Sequence, residues 1–231
     1  MFKIFRLISL LIFVMFPFST NAHVQHYKDL KSIKFDIYRN NIYIGTHIFS
    51  FEKSEDEIAV HSEIKFEIKK FGIILYKYHA DGVEIYKDGK LIKFNSKTDQ
   101  NRKKKYVNMI LENNEYIING SSYQGRKKIK SRFDFVIGTW WNHDIVKTKA
   151  QISAVSGRII KQKVKFLGKE IIKFDEKSYN TLHYNFSSTD KKLDKKKKLN
   201  TDIWYDEKTL NWVKASFKKS GNWEYRLKSI N

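Results

Sequence analysis

The absence of several residue types limits what this sequence can do. Its 231 residues contain no cysteine, one proline and ten glycines. Without cysteine, the chain cannot form a disulfide scaffold, a zinc ribbon, a thiol nucleophile or a lipid-modified cysteine near its N-terminus. It also lacks a glycine-rich phosphate loop, a nucleophile elbow and a His-Glu-x-x-His motif, so an enzyme is the least favoured class. We therefore assign no catalytic residues and expect no cofactor and no metal site.

The first 22 residues have the features of a secretory signal peptide. Lys3 and Arg6 precede a nearly unbroken apolar stretch, Leu7–Phe18, and small residues lead to Ala22. A dozen apolar residues are too few to cross a bilayer core of about 30 Å, which takes roughly 20. We predict export to the periplasm with cleavage after Ala22; the alternative is an uncleaved N-terminal anchor.

The charge of the chain is strongly positive and comes mostly from lysine. There are 45 Lys and Arg residues against 25 Asp and Glu, a formal net charge of +20, and only seven of the cations are Arg. Scarce arginine and predicted export both argue against a nucleic-acid partner. Three basic clusters are interpreted either as solvated loops or as weak contacts with an anionic membrane surface. They are Arg102–Lys105, Arg126–Lys130 and Lys191–Lys198.

Apolar residues of the mature chain alternate with polar ones almost throughout. Ser62–Lys69 alternates without a fault, as expected for a strand with one wet face. Two-residue turn signals such as Asn40-Asn41, Asp88-Gly89 and Asn113-Asn114 separate these segments at hairpin spacing. About a dozen such strands predict a mainly β fold: an antiparallel curved sheet or a half-open β-barrel with one or two short helices. In the second half the predicted strands are Ile159–Phe166, Glu170–Phe174, Thr181–Phe186, Thr201–Tyr205, Trp212–Phe217 and Trp223–Leu227.

Ser131–Ala150 interrupts this alternation and is the only stretch where we expect helix. We predict one short turn of helix over Phe133–Val136, capped by Ser131, and a second over His143–Lys149. No linker rich in Gly, Pro or Ser divides the chain, so residues 23–231 are predicted to form a single domain. Lys191–Leu199 predicts a long solvated hairpin loop.

The histidines suggest two metal sites, each with a simpler interpretation. After cleavage His23 would begin the mature chain, where its amine and imidazole could chelate copper; a frayed terminus is the favoured alternative. His79 and Asp81 share one face of a strand, as a metal or acid–base pair requires. The sequence Asp81-Gly82 equally indicates a kink at a strand end, and we favour that interpretation.

Aromatic residues give the candidate binding site. They cluster after Gly138 and again near the C-terminus, and core filling is the simplest explanation for them. The alternative is an apolar groove on the concave face of a curved sheet, which would take a lipid or a peptide. The candidate ligand-binding residues are Trp140, Trp141, Asn142, Trp204, Tyr205 and Trp212.

The same aromatic motifs carry a family resemblance. Trp140-Trp141-Asn142, Leu167-Gly168-Lys169-Glu170 and Asp202-Ile203-Trp204-Tyr205-Asp206 follow the order and spacing of an uncharacterised domain-of-unknown-function family of exported proteobacterial proteins. The N-terminal half, with Ile44-Gly45-Thr46-His47, resembles that family's opening hairpin. The chain departs from the family pattern at Trp140, where another aromatic is expected, and at Arg158, where an acidic residue is usual. The resemblance implies a fold over nearly all of the mature chain, but no catalytic residues.

Two functions from different classes remain open at this point. The first is non-enzymatic binding of an apolar or amphipathic envelope ligand such as a lipid. The second is a structural or interaction protein that docks an envelope partner through a sheet edge by strand addition. The sequence specifies neither the ligand nor the oligomeric state.

Overall fold

The computed structural model describes residue 27 and residues 29–125, 128–194 and 197–231. The predicted signal peptide, its cleavage site after Ala22 and the copper site at His23 lie outside the described residues. In the described part of the chain, no helix is long and apolar enough to cross a bilayer.

Within these residues, fifteen strands form one sheet. The first eight are β1 Ser32–Arg39, β2 Ile42–Lys53, β3 Glu57–Lys70, β4 Ile73–Lys87, β5 Lys90–Gln100, β6 Lys103–Glu112, β7 Glu115–Gly120 and β8 Ile129–Arg132. The remaining seven are β9 Val136–Ile137, β10 Ala150–Ile152, β11 Ile159–Phe174, β12 Lys177–Ser188, β13 Asn200–Asp206, β14 Trp212–Lys218 and β15 Asn222–Ile230. The described helices are two short 3₁₀ turns, Ser121–Tyr123 and His143–Lys147.

The sheet is a continuous meander that curls until its two edges approach each other. Strands consecutive in sequence are neighbours from β1 to β8 and from β9 to β15, and β1 joins the two halves by pairing with β15. All pairs are antiparallel except β9 with β10. The edge strands are β8 and β9, and the four Cα steps from Arg132 to Val136 span at most roughly 14 Å. The sheet does not close into a barrel, and this confirms the predicted fold class.

Residues 138–158, which include β10, contact both halves of the sheet, and we call them the interior segment. On one side Ser96 of β5 donates a hydrogen bond of 2.5 Å to the carbonyl of Ala154. On the other side the hydroxyl of Tyr205 in β13 donates 2.9 Å to the carbonyl of Trp140. The interior segment thus connects β5 with β13, two strands that do not pair with each other.

The core lies between the concave face and this segment, and its largest members are aromatic. Alternation places every second residue of β1 and β2 inside, and Ile33, Phe35, Ile37 and Phe49 are fully buried. Trp212 lies against Phe35, with ring centroids 3.9 Å apart. A fully buried aromatic side chain contributes about 1.5–3 kcal/mol relative to an exposed one.

The two-residue hairpin turns predicted from Asn and Gly residues are confirmed. Asn40-Asn41, Asp88-Gly89 and Asn113-Asn114 all have positive φ at both residues, as two-residue hairpins of this twist require. Lys191–Leu199 lies between the paired strands β12 and β13 where it is described, as the predicted hairpin loop does.

Three details of the sequence prediction are wrong. Residues 133–136 are not helical, because Ile129–Arg132 pairs with β7 and the chain then turns into β9. Asp81-Gly82 does not end a strand, since β4 runs through it to Lys87. The segments predicted as two strands around Gly168 are the single strand β11, which has a bulge there. The second predicted helix is present as the 3₁₀ turn His143–Lys147, capped by the Asn142 side chain.

Candidate functional site

The concave face contains a groove with an aromatic wall. Its rings come from β3 and β4 on one side and from β14 and β15 on the other. Phe66 stacks on Tyr78 with ring centroids 4.8 Å apart and meets Trp223 edge-on at 5.2 Å. Phe217 stacks on Trp223 at 5.8 Å. Because β1 joins the two halves of the sheet, residues far apart in sequence form one apolar surface.

Two cavities lie along this surface. The outer one has a volume of about 1030 Å³ and the inner one about 260 Å³. They share Tyr78 and Tyr225 from the sheet and Ser153 and Val155 from the interior segment. Pockets of about 300–1,000 Å³ hold small organic ligands. The groove therefore offers the space and the apolar lining that such a ligand needs.

The mouth of the outer cavity is rimmed by cations. Its described lining residues include no aspartate and no glutamate, whereas five of them are basic: Arg39, Lys105, Arg158, Lys197 and Lys219. Arg158 donates a hydrogen bond of 3.1 Å to the carbonyl of Lys197, which ties the interior segment to the loop between β12 and β13. This excess of positive charge favours an anionic group at the mouth.

Lys105 is a cation of this group whose pKa is shifted by its surroundings. It is half-buried, and its ammonium donates a hydrogen bond of 2.6 Å to the neutral amide oxygen of Gln100. Burial lowers the pKa of Lys105, and the nearby positive charges of Lys219 and Lys103 lower it further. An anion bound beside Lys105 would relieve both effects.

The six predicted site residues do not assemble around this groove. Trp140 lines the inner cavity, and its ring meets Trp212 edge-on. Trp141, Tyr205 and Trp212 are fully buried in the core. Asn142 is also buried; it caps the 3₁₀ turn by accepting a hydrogen bond from the Asp144 amide and lines a separate cavity beside β7 and β8.

Trp204 lies on the opposite face of the sheet. Its indole stacks on His183 with ring centroids 4.1 Å apart and donates a hydrogen bond of 3.0 Å to Glu170. That hydrogen bond is the main reason why the pKa of Glu170 is lowered. Glu170 also lies 2.6 Å from Nδ1 of His183. These contacts give Trp204 a packing role on the outer face.

The aromatic wall itself was missed by the sequence analysis. A usable signal exists, because Phe66, Tyr76 and Tyr78 share the alternation phase of the buried residues in β3 and β4. Phe217 and Trp223 carry the same signal, in phase with the buried residues Ala215 and Tyr225. Only the curl of the sheet, however, brings them to Phe66.

Glu84 is the most deeply buried acidic group described. It is 2% exposed and accepts hydrogen bonds from Tyr86 at 2.5 Å, Thr139 at 2.8 Å and Trp141 at 2.9 Å. Burial raises its pKa despite these three donors. Two of the donors belong to the interior segment, so Glu84 fixes that segment to β4. It does not line the groove and has a structural role.

One group of potential metal ligands occurs in the described part of the chain. Donor atoms of Glu63, His79 and Asp81 lie within 4.8 Å of one another on the outer face. The predicted proximity of His79 and Asp81 is thus confirmed, with Nε2 and Oδ2 3.1 Å apart. The ammonium of Lys65 already pairs with Glu63 and lowers its pKa. All three candidate ligands are at least 39% exposed, as ordinary surface ion pairs are.

Comparison of the sequence with known protein families identifies the family of this chain. A family model described as domain of unknown function (DUF6134) matches residues 35–228. The chain belongs to this family. The match confirms the resemblance to a domain-of-unknown-function family inferred from the aromatic motifs. It covers both walls of the groove and the interior segment.

A solved structure shares the fold of this DUF6134 chain. It is the crystal structure of a beta-barrel-like protein of domain of unknown function DUF1849 from Brucella abortus. The two are 9% identical, with a TM-score of 0.61 over 87% of this chain and 96% of the other. At this identity the likeness shows the fold alone. No curated protein matches the sequence.

Proposed function

We propose that this protein binds an amphipathic ligand, such as a lipid, in the groove of the concave face and carries out no catalysis. The observation that carries the proposal is an aromatic cavity of about 1030 Å³ whose mouth has basic residues and, among the described lining residues, no acidic ones. An acyl chain suits the wall of Phe66, Phe217 and Trp223, because burying its methylenes contributes about 0.8 kcal/mol each.

The charges at the mouth of the outer cavity indicate the chemistry of the ligand's head group. Lys105 and Lys219 face the same opening, and neither has a carboxylate partner among the contacts described. A carboxylate or phosphate would form charge-assisted hydrogen bonds with them. We therefore propose an anionic amphiphile. Export, as predicted from the sequence, would bring the protein to the cell envelope, which is a source of anionic lipids.

Blocking the groove tests whether it binds a ligand. The probe is cis-parinaric acid, a fluorescent fatty acid, titrated into the mature protein. Val155→Trp adds a large side chain where the two cavities meet, and we expect it to weaken binding at least about tenfold. Ile171→Trp, a substitution at a residue 64% exposed on β11, is the matched control. Wild-type affinity in Val155→Trp, or no binding by the folded wild type, would overturn the proposal.

Neutralising the mouth tests the charge of the ligand. Lys105→Gln and Lys219→Gln together should weaken binding of cis-parinaric acid about tenfold or more while leaving binding of its uncharged methyl ester unchanged. Lys173→Gln, an exposed change on β11, is the control. Equal losses for acid and ester would refute the anionic head but not the groove.

Strand addition at a sheet edge finds less support. The described edges, β8 and β9, have four and two residues, so they offer a partner few unpaired backbone groups.

A further inference from the structure

The hairpin that joins β3 to β4 ends in an exposed apolar tip. Strand β3 ends at Lys70 and β4 begins at Ile73, so Phe71-Gly72 is the turn. Phe71 is 92% exposed, and Ile73, Ile74 and Leu75 are 66%, 50% and 55% exposed. We call these four residues the apolar tip. Contiguous apolar side chains held in water at the end of a hairpin indicate a contact surface.

The turn is conformationally unfavourable as well as apolar. Phe71 has φ 51° and Gly72 φ 77°, so both residues are left-handed. A bulky side chain rarely adopts positive φ. Five other turns in the described part of the chain have two consecutive residues with positive φ. Four of them have Asn or Asp first, namely Asn40-Asn41, Asp88-Gly89, Asn101-Arg102 and Asn113-Asn114, and Ser220-Gly221 has Ser first. Phe71 thus stands where most of the other turns have a residue type suited to positive φ. It is also the most exposed large hydrophobic residue described. Both observations indicate that the Phe71 side chain has a function.

Positive charge flanks the tip on both strands. Lys69 and Lys70 precede it and Lys77 follows it. Glu67 is the nearby acid and pairs with Lys69 at 3.1 Å and with Lys77 at 3.5 Å, so the three lysines keep an excess of positive charge. An apolar segment between lysines is suited to the interface of a bilayer that contains anionic lipid.

The tip adjoins the mouth of the groove. Leu75 belongs to the tip and also lines the outer cavity, as does Tyr76 beside it. The basic rim with Lys105 and Lys219 surrounds the same cavity. A membrane contacted by the tip would therefore face the groove entrance.

We propose that the β3–β4 hairpin docks on an anionic lipid bilayer by inserting Phe71, Ile73, Ile74 and Leu75 into its interface. This goes beyond ligand binding in the groove, because docking requires no occupied cavity. The tip supplies the apolar contact, and Lys69, Lys70 and Lys77 attract the anionic head groups.

Phe71→Asn tests this proposal without endangering the fold, since Asn is the residue that this chain uses in equivalent turns. The probe is co-sedimentation with vesicles of phosphatidylcholine containing about 30 mol% phosphatidylglycerol. We expect Phe71→Asn to fold with at least wild-type stability and to bind these vesicles about tenfold more weakly or worse. Ile171→Asn, which removes an apolar side chain that is 64% exposed on β11, should bind as the wild type does.

Two further questions are tested in parallel: whether docking requires anionic lipid, and whether a second copy of the chain covers the apolar tip. Wild-type binding should fall at least about tenfold in vesicles of phosphatidylcholine alone, and in high salt. Equal binding to both vesicles, or wild-type binding by Phe71→Asn, would overturn the proposal. So would a dimer in sedimentation velocity that Phe71→Asn converts to a monomer, because a second copy would then cover the tip. Val155→Trp, which blocks the groove, should still bind vesicles, so failure of the groove and failure of docking are distinguishable.

Discussion

The indole Nε1 of Trp141 donates a hydrogen bond of 2.9 Å to the carboxylate of Glu84, and both side chains are buried. This bond joins the interior segment to β4. Around it, the Trp141 ring meets Tyr27, Phe51 and Tyr86 edge-on at 5.3–5.7 Å. The hydrogen bond between this carboxylate and this indole therefore helps to position the interior segment.

Trp141→Phe should destabilise the protein by about 2–4 kcal/mol. The change leaves a buried carboxylate short of one donor, which costs about 1–3 kcal/mol, and creates a small cavity as well. Urea unfolding measures the effect. Tyr106→Phe is the control, since it removes a weak, exposed hydrogen bond of 3.4 Å to Asn119 and should change stability by less than about 0.5 kcal/mol. Equal stability of the two variants would contradict the role given to Trp141.

Glu84→Gln should change how stability depends on pH. Burial raises the pKa of Glu84 in the folded protein, so the folded state holds this proton more tightly than the unfolded state does. The unfolding free energy of the wild type should therefore decrease as pH rises from about 4.5 through the raised pKa, by up to about 1.4 kcal/mol per unit. Gln can accept the bonds from Thr139 and Trp141 and has no such proton.

The comparison is the difference in unfolding free energy between Glu84→Gln and the wild type at several pH values. We expect this difference to grow in favour of the variant above about pH 4.5. A difference that does not change with pH would show that Glu84 has no raised pKa.

Local turn chemistry explains why the fold could be predicted from the sequence. Asn113-Asn114 and Asp88-Gly89 tolerate positive φ, and the alternating residues beside them identify paired strands. The Phe71-Gly72 turn was not predicted, because Phe is not a turn residue and only the finished hairpin holds it there. The absence of helix at residues 133–136 likewise depends on strand pairing, of β8 with β7 and of β9 with β10.

The candidate site was harder to predict, because burial does not distinguish a core aromatic from a groove aromatic. Trp212 and Trp223 lie in adjacent strands with similar surroundings in the sequence, yet Trp212 is sealed against Phe35 and Trp223 lines the cavity. Trp212 also meets Trp140 of the interior segment, whereas Trp223 meets Phe66 and Phe217, and no local sequence pattern encodes these partners.

His47 should make the protein less stable below neutral pH. It is buried among Phe35, Phe49 and Trp212, and burial lowers its pKa to about 3. Between about pH 6.5 and 3 the unfolded state binds a proton that the folded state excludes, so the unfolding free energy falls as pH decreases, by up to about 1.4 kcal/mol per unit. His47→Gln should flatten this dependence.

The matched control is His61→Gln, because His61 is 43% exposed and forms a surface ion pair of 3.4 Å with Glu52. Unfolding free energies at about pH 7 and pH 5 suffice for each variant. Glu84 acts in the opposite direction over part of this range, so each variant is compared with the wild type at the same pH. The assignment fails if His47→Gln keeps the wild-type slope.

Gly45→Ala should disrupt the register of the groove wall as well as stability. A Cβ at Gly45 in β2 would collide with the carbonyl oxygen of Lys65 and lie 2.6 Å from Cα of Phe66. The backbone of β3 cannot move away without disturbing its pairing, so we expect the free energy of unfolding to decrease by about 3 kcal/mol. Gly82→Ala on β4 is the control, because its Cβ would lie 3.4 Å from the Phe94 ring, an ordinary contact. Since Phe66 belongs to the aromatic wall, Gly45→Ala should also weaken binding of cis-parinaric acid where the variant is still folded. Gly82 lines the inner cavity, so Gly82→Ala serves as the control for stability alone. Unchanged stability in Gly45→Ala would mean that β2 and β3 do not pack as closely at this point as the structure has them.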